Sequence, residues 1–197
     1  MPSWSIHEKW ACKFDVPLNV AKTVNREIDQ TGCAVKICGK MKVIKKHDVC
    51  DPFPGNIKEV PLCLLAYYER FGEAGIRAVL LHHALDHLQM LIKRGNYTPE
   101  EAVLLIKKRL DNFINANIWR ASEYLGRISA FDLSGITDES IRDVIQFSKE
   151  CSSDVEALEK LFPVVVRVIN DLKIFLQENL DEIKEDLVKS SECMSTY

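Results

Sequence analysis

The sequence predicts an all-α protein, a helical bundle of six to eight helices with at most one short β-hairpin near residues 33–46. Three observations carry this expectation. Apolar residues recur three and four positions apart through most of the 197-residue chain, the spacing that lines one face of a helix. Two stretches, Ser5-Ile6-His7-Glu8 and Thr98-Pro99-Glu100-Glu101, carry capping-box chemistry, in which a hydroxyl meets the amide three residues on and the glutamate reaches back. Strand-like alternation is confined to one lysine-rich piece, where Val35, Ile37, Met41 and Val43 are interleaved with Lys36, Lys40 and Lys42.

Taken in order, the first helix starts at the Ser5 box and runs to about Phe14, with His7 in its first turn. Pro17 suits the first position of a second helix, whose apolar residues Val20, Ala21, Val24 and Ile28 lead to a stop at Gly32. After the ambiguous piece 33–46, Pro52, Pro54, Gly55 and Pro61 break any regular structure and mark a loop. Helical spacing returns from Pro61 to a stop at Gly72, then from near Glu73 to Gly95-Asn96. The helix opened by Thr98 carries Val103, Ile106, Leu110 and Phe113 on one stripe and is expected to continue through Trp119 to Leu125. Residues 131–136 read as a break, and Thr137-Asp138-Glu139 opens a further helix to about Cys151, its acids set against the positive end of the dipole. Beyond Pro163, Val165, Ile169, Leu172, Leu176, Leu180, Ile183 and Leu187 form the seam of a long amphipathic helix. That seam serves a core, or the meeting of two copies of the chain. The organisation expected is a histidine-bearing helical domain, 1–130, and a C-terminal helical extension, 131–197, separate or sharing one core.

Composition bounds the function. An apolar fraction of 47% suits a folded globular chain, and a formal charge of -3 gives no global attraction to nucleic acid or acidic membranes. No apolar run has the length of a membrane span, and His7, Glu8 and Lys9 stand where a signal peptide would be apolar. A cytoplasmic protein without membrane contact is expected. The seven cysteines are an odd number, so at least one thiol stays free of any intramolecular disulfide. Glycine-rich phosphate loops, dinucleotide fingerprints and nucleophile elbows are absent from the sequence.

The chemistry gathers at 79–92, V-L-L-H-H-A-L-D-H-L-Q-M-L-I, where three of the five histidines lie in an apolar run of helix length. His83 and His87 stand one turn apart, as do His82 and Asp86. An imidazole buried in such a helix needs a partner, either a neighbouring helix or a metal. Elsewhere His7 opens the first helix, and His47-Asp48, followed by Asp51, stands at the mouth of the loop. Imidazole and carboxylate mixtures suit a divalent transition metal such as Zn, Mn, Fe or Ni. The site expected from these residues draws its ligands from His7, His47, Asp48, His83 and His87, with Asp48 and His83 as the catalytic groups.

His7 with the helix after it, the loop and helix of 15–28, and the dipeptide His47-Asp48 resemble the metal-dependent phosphohydrolases of the HD superfamily. That resemblance implies an all-helical hydrolase in which His7 is the first ligand and His47-Asp48 the dyad. His83 or His87 would then be a later metal or phosphate contact, and Asp111 the final aspartate. His83-x-x-x-His87 followed by Gln89, with His47 on an earlier element, is also similar to the three-histidine site of DinB-like four-helix bundles. This second resemblance implies a thiol-dependent transferase or a bundle with no known activity. The function expected is a metal-dependent hydrolase acting on a phosphate ester or nucleotide, a small phosphorylated molecule held in part by Lys45 and Lys46. The alternatives are a non-enzymatic helical interaction module and a weak nucleic-acid binder using the patch Lys36, Lys40, Lys42, Lys45 and Lys46. Cys33, Cys38, His47 and Cys50 offer a structural zinc knot as a further reading, against buried thiols.

Overall fold

The computed structural model describes residues 2–37, 40–44, 51–53, 60–93, 97–116, 119 and 138–192. Among these, seven α-helices and one two-stranded antiparallel sheet make up the architecture: α1 Trp4–Lys13, α2 Leu18–Arg26, β1 Cys33–Ile37, β2 Lys40–Ile44, α3 Val60–Phe71, α4 Glu73–Lys93, α5 Pro99–Ile114, α6 Asp138–Glu178 and α7 Leu180–Glu192. The fold is all-α, as expected, with the hairpin where the alternation lay. Its register pairs Cys33 with Ile44, Val35 with Lys42 and Ile37 with Lys40. Cys33 and Val35 are buried and Ala34 is exposed, the period of two that a sheet with one covered face requires. The break expected at 131–136 and the helix continuation through 120–125 lie outside the described residues.

Several boundaries differ from the sequence reading for identifiable reasons. Helix α1 takes Ser3 as its N-cap, not Ser5; the Trp4 indole donates to Asp29 Oδ2 at 2.6 Å and draws Trp4 into the helix. Helix α5 keeps the Thr98 box intact, with Glu101 N donating to Thr98 Oγ1 and Thr98 N to Glu101 Oε2. It stops at Ile114, where the Asn115 side chain takes the carbonyl of Asp111. Helix α6 runs straight through Ser152, Ser153 and Pro163. Pro163 is exposed, so water can serve the Glu159 carbonyl that proline leaves without a donor. The chain breaks instead at Asn179, whose side-chain amide donates to the Phe175 carbonyl.

Helix α4 is the axis of the molecule. It packs against α1, α2, α3, α5 and α6, which is why Ile76, Val79, Leu80, Leu81, Ala84, Leu85 and Leu88 are all buried around its circumference. The seam of α6 and α7, from Val165 to Leu187, belongs to the same buried cluster as the apolar residues of α1 to α5. At its outer end α4 is tied to α6 by charge: Arg77 pairs with Glu73 and Asp171, and Arg167 pairs with Glu73. No helix among the described residues is long and apolar enough to cross a membrane.

The approach of α4 to α3 depends on Gly75. A Cβ there would lie 2.5 Å from the Tyr67 carbonyl oxygen and 3.2 Å from the Phe71 Cβ. The obstruction is mainly backbone, which moves only by displacing a helix. Gly75→Ala is therefore expected to destabilise the protein by about 1–3 kcal/mol, despite the better helix propensity of alanine. Urea unfolding reads this directly, and a gain in stability would show that α3 and α4 do not approach so closely.

Candidate metal centre

Helix α1 turns His7 inward on the face that also buries Trp10, Ala11 and Phe14. The imidazole reaches α4, where His82 and Asp86 stand one turn apart. His7 Nε2 lies 3.3 Å from Asp86 Oδ1, and His82 Nε2 lies 3.4 Å from Asp86 Oδ2. One carboxylate thus serves two imidazoles, whose rings stack with centroids 4.2 Å apart and planes 16° from parallel. One donor atom from each of His7, His82 and Asp86 lies within 4.8 Å of the other two. This is a group able to hold a metal ion. The three are buried at 2%, 1% and 9% relative exposure, so whatever sits among them is largely out of water.

Two neighbours on the second helical stretch complete the surroundings. The Asn25 amide oxygen faces His82 Nδ1 at 2.9 Å, and an amide oxygen can only accept, so the proton belongs on Nδ1 and the lone pair on Nε2. That lone pair faces Asp86 and also Asp29 Oδ1, again at 3.4 Å. A lone pair aimed at two buried carboxylates is repulsive unless a positive charge stands there. A proton supplies it in one state of the protein, and a divalent cation fits the same position.

Electrostatics agree with this geometry. For His82, burial is the largest influence and opposes charge, but the hydrogen bonds and charges of Asp29 and Asp86 together push its pKa up to about 9. For His7, burial dominates and lowers the pKa; the Asp86 hydrogen bond only partly opposes this, and His82 lowers it further. Near neutral pH the stacked pair therefore favours a single positive charge, on His82. Free imidazole in an unfolded chain titrates near about 6.5. Because the folded pKa of His82 lies above that value, its contribution is fully present below about pH 6.5 and is lost as pH rises through about 9. His7 acts in the opposite sense, favouring the fold above its unfolded pKa and losing that contribution as pH falls. Chelator-treated protein is thus expected to lose stability, on the order of 3 kcal/mol, between pH 6.5 and 9. His82→Gln should flatten that alkaline arm in urea unfolding; an unchanged arm would assign it to other groups.

The histidines that the sequence reading favoured are placed differently. His83 and His87 are turned to Asp51, not to His7. Asp51 Oδ2 lies 2.7 Å from His87 Nε2 and 4.0 Å from His83 Nδ1, while its Oδ1 accepts from the Phe53 amide at 2.8 Å. The Phe53 ring packs on His87 with centroids 4.7 Å apart. Buried Asp51 thereby fastens residues 51–53 onto α4. His47 and Asp48 lie outside the described residues, as do Lys45, Lys46, Cys38 and Cys50. Cys33 is buried in the core. Asp111 pairs with Lys173 across α5 and α6. The sequence reading did set His82 beside Asp86 as a pair one turn apart but left both out of the ligand set, and it missed Asn25 and Asp29. Comparison with known proteins gives no match: no family model, no curated protein and no solved structure is similar to the chain at a meaningful level.

Proposed function

We propose that the chain is a metal-dependent hydrolase of phosphate esters, built around a divalent transition metal ion held by His7, His82 and Asp86. The observation that carries this reading is the buried convergence of His7, His82 and Asp86, one donor atom of each within 4.8 Å of the others, where a cation could take the place of the proton on His82. Two imidazoles and a carboxylate are the donor set of hydrolytic zinc sites and of open non-haem iron sites. A cation bound there would supply Lewis acidity, lowering the pKa of water and polarising a phosphoryl oxygen. The protein's own part is to orient and exclude. Asn25 fixes the tautomer and plane of His82, the stacked His7 ring fixes its tilt, and burial excludes bulk water. The choice of a phosphate ester is supported by the sequence resemblance carried by His7 and His47-Asp48 and by Lys45 and Lys46, which precede His47 in the sequence.

A second reading has its own support in the burial of His7 and His82. A cation closed off to that degree would act as a structural pin joining α1 to α4. The two are separated by assaying p-nitrophenyl phosphate and its bis-ester with protein loaded in turn with Zn, Mn, Fe(II) or Ni. Turnover that appears with metal and vanishes in Asp86→Asn is the expected result. A metal-dependent rise in unfolding temperature without turnover would leave the structural pin in its place.

A further inference from the structure

We infer that the C-terminal helix α7 regulates the metal centre: Asp186 and Leu187 staple α1 to α4 one turn from His7 and Asp86, so docking of α7 and binding of the cation are coupled. This rests on the metal site proposed above. Two of its donors, His82 and Asp86, stand one turn apart on α4, and their spacing is set by that helix alone. His7 comes from α1. The geometry of the centre therefore hangs on how α1 lies against α4.

Helix α1 is pinned on both sides of His7. Trp4, His7 and Trp10 succeed one another about a turn apart, and the outer two are indole donors to carboxylates. Trp4 donates to Asp29 Oδ2 at 2.6 Å, and Trp10 donates to Asp186 Oδ2 at 3.0 Å. The second acceptor lies 176 residues further along the chain, on α7. The placement of the first helix is thus in part set by the last.

The residue after Asp186 completes the staple. Gln89, buried on α4, donates its side-chain amide to the Leu187 carbonyl at 3.4 Å. Trp10 stands one turn beyond His7, and Gln89 one turn beyond Asp86. The α7 bridge and the cation bridge therefore join the same two helices about 4.5 Å apart along their axes, at a rise of about 1.5 Å per residue. Neither can open far without straining the other. Lys9 and Lys13 add ion pairs to Asp186 and Glu182, which are partly exposed and contribute little. Buried Ile183 and Leu187 hold α7 down. Coupling of this kind is reciprocal: an α7 that leaves weakens cation binding, and a cation that leaves loosens α7 by the same factor.

The test is a calorimetric titration of the full chain with cobalt(II), wild type against Asp186→Ala, a change outside the ligand set. Affinity is expected to fall about tenfold or more, within the usual span of coupling between sites. Asp186→Asn keeps an acceptor for the Trp10 indole and loses only the partly exposed pair with Lys9, so it should recover most of the affinity. The reverse arm needs no variant. In hydrogen exchange of the wild-type chain, cobalt should raise the protection of α1 and of Leu180–Glu192 by more than that of α3. Equal affinity in wild type and Asp186→Ala, or exchange in α7 that ignores cobalt, would overturn the coupling and leave the centre standing. A wild-type chain that takes up no cobalt would overturn the centre itself, and the coupling with it.

Discussion

Replacing His82 by alanine is expected to abolish metal binding and to destabilise the metal-free protein by about 3–5 kcal/mol, the cost of leaving a buried charge without its counterpart. Alanine is the better helix former, so α4 itself should persist. What is lost is the positive charge between Asp29 and Asp86, each within 3.4 Å of the missing nitrogen. Asn25 also loses its partner. His83→Ala is the comparison one residue on: its imidazole faces Asp51, so metal content should be retained. Metal titration and urea unfolding of the two variants give four numbers. A His82→Ala protein with undiminished metal, or with a stability loss of only about 1 kcal/mol as for an ordinary hydrogen bond, would contradict the reading.

Trp10→Ala should have an effect of similar size on folding, about 3–5 kcal/mol, as expected for truncating a fully buried aromatic residue. Trp10 is 0% exposed, its indole donates to Asp186 Oδ2 of α7 at 3.0 Å, and its ring meets Phe175 of α6 edge-on. The ammonium groups of Lys9 and Lys13 lie over the same ring and reach Glu182 and Asp186. One side chain thus joins the first helix to the last two. Against a typical total stability of roughly 5–15 kcal/mol, its loss removes a large share. Because His7 lies one turn away on α1, metal affinity should fall with it. A loss below about 1 kcal/mol in urea unfolding would mean that α7 docks independently of α1.

Much of the fold was legible in the chain because its signals are local. Helix periodicity, the Thr98 box and the glycine stop at Gly72 each act over a few residues and survive in the structure. What was not legible depends on packing. Two pairs, His82 with Asp86 and His83 with His87, share one helix and the same one-turn spacing. Only the neighbours surrounding α4 decide which pair meets His7, and a helix buried around its whole circumference carries no polar face to mark the choice. Asp29 was hidden for a different reason. Its position follows from the π turn Glu27–Thr31 that continues α2, and nothing in those five residues distinguishes the turn from a continuing α-helix until the Trp4 indole is seen to donate to Asp29 and the Arg70 guanidinium to Glu27. Pro163 shows the opposite case: it lies inside α6, because an exposed proline need not end a helix whose other face is held by a core.

The most direct test of the metal centre is the metal content of the protein purified without chelator or histidine tag, set against that of His82→Ala prepared in the same way. One equivalent of a divalent transition metal per wild-type chain, and none in the variant, is the expected result. Wild-type protein that carries no metal and takes up none on dialysis, or a variant that retains the full equivalent, would contradict the site at His7, His82 and Asp86.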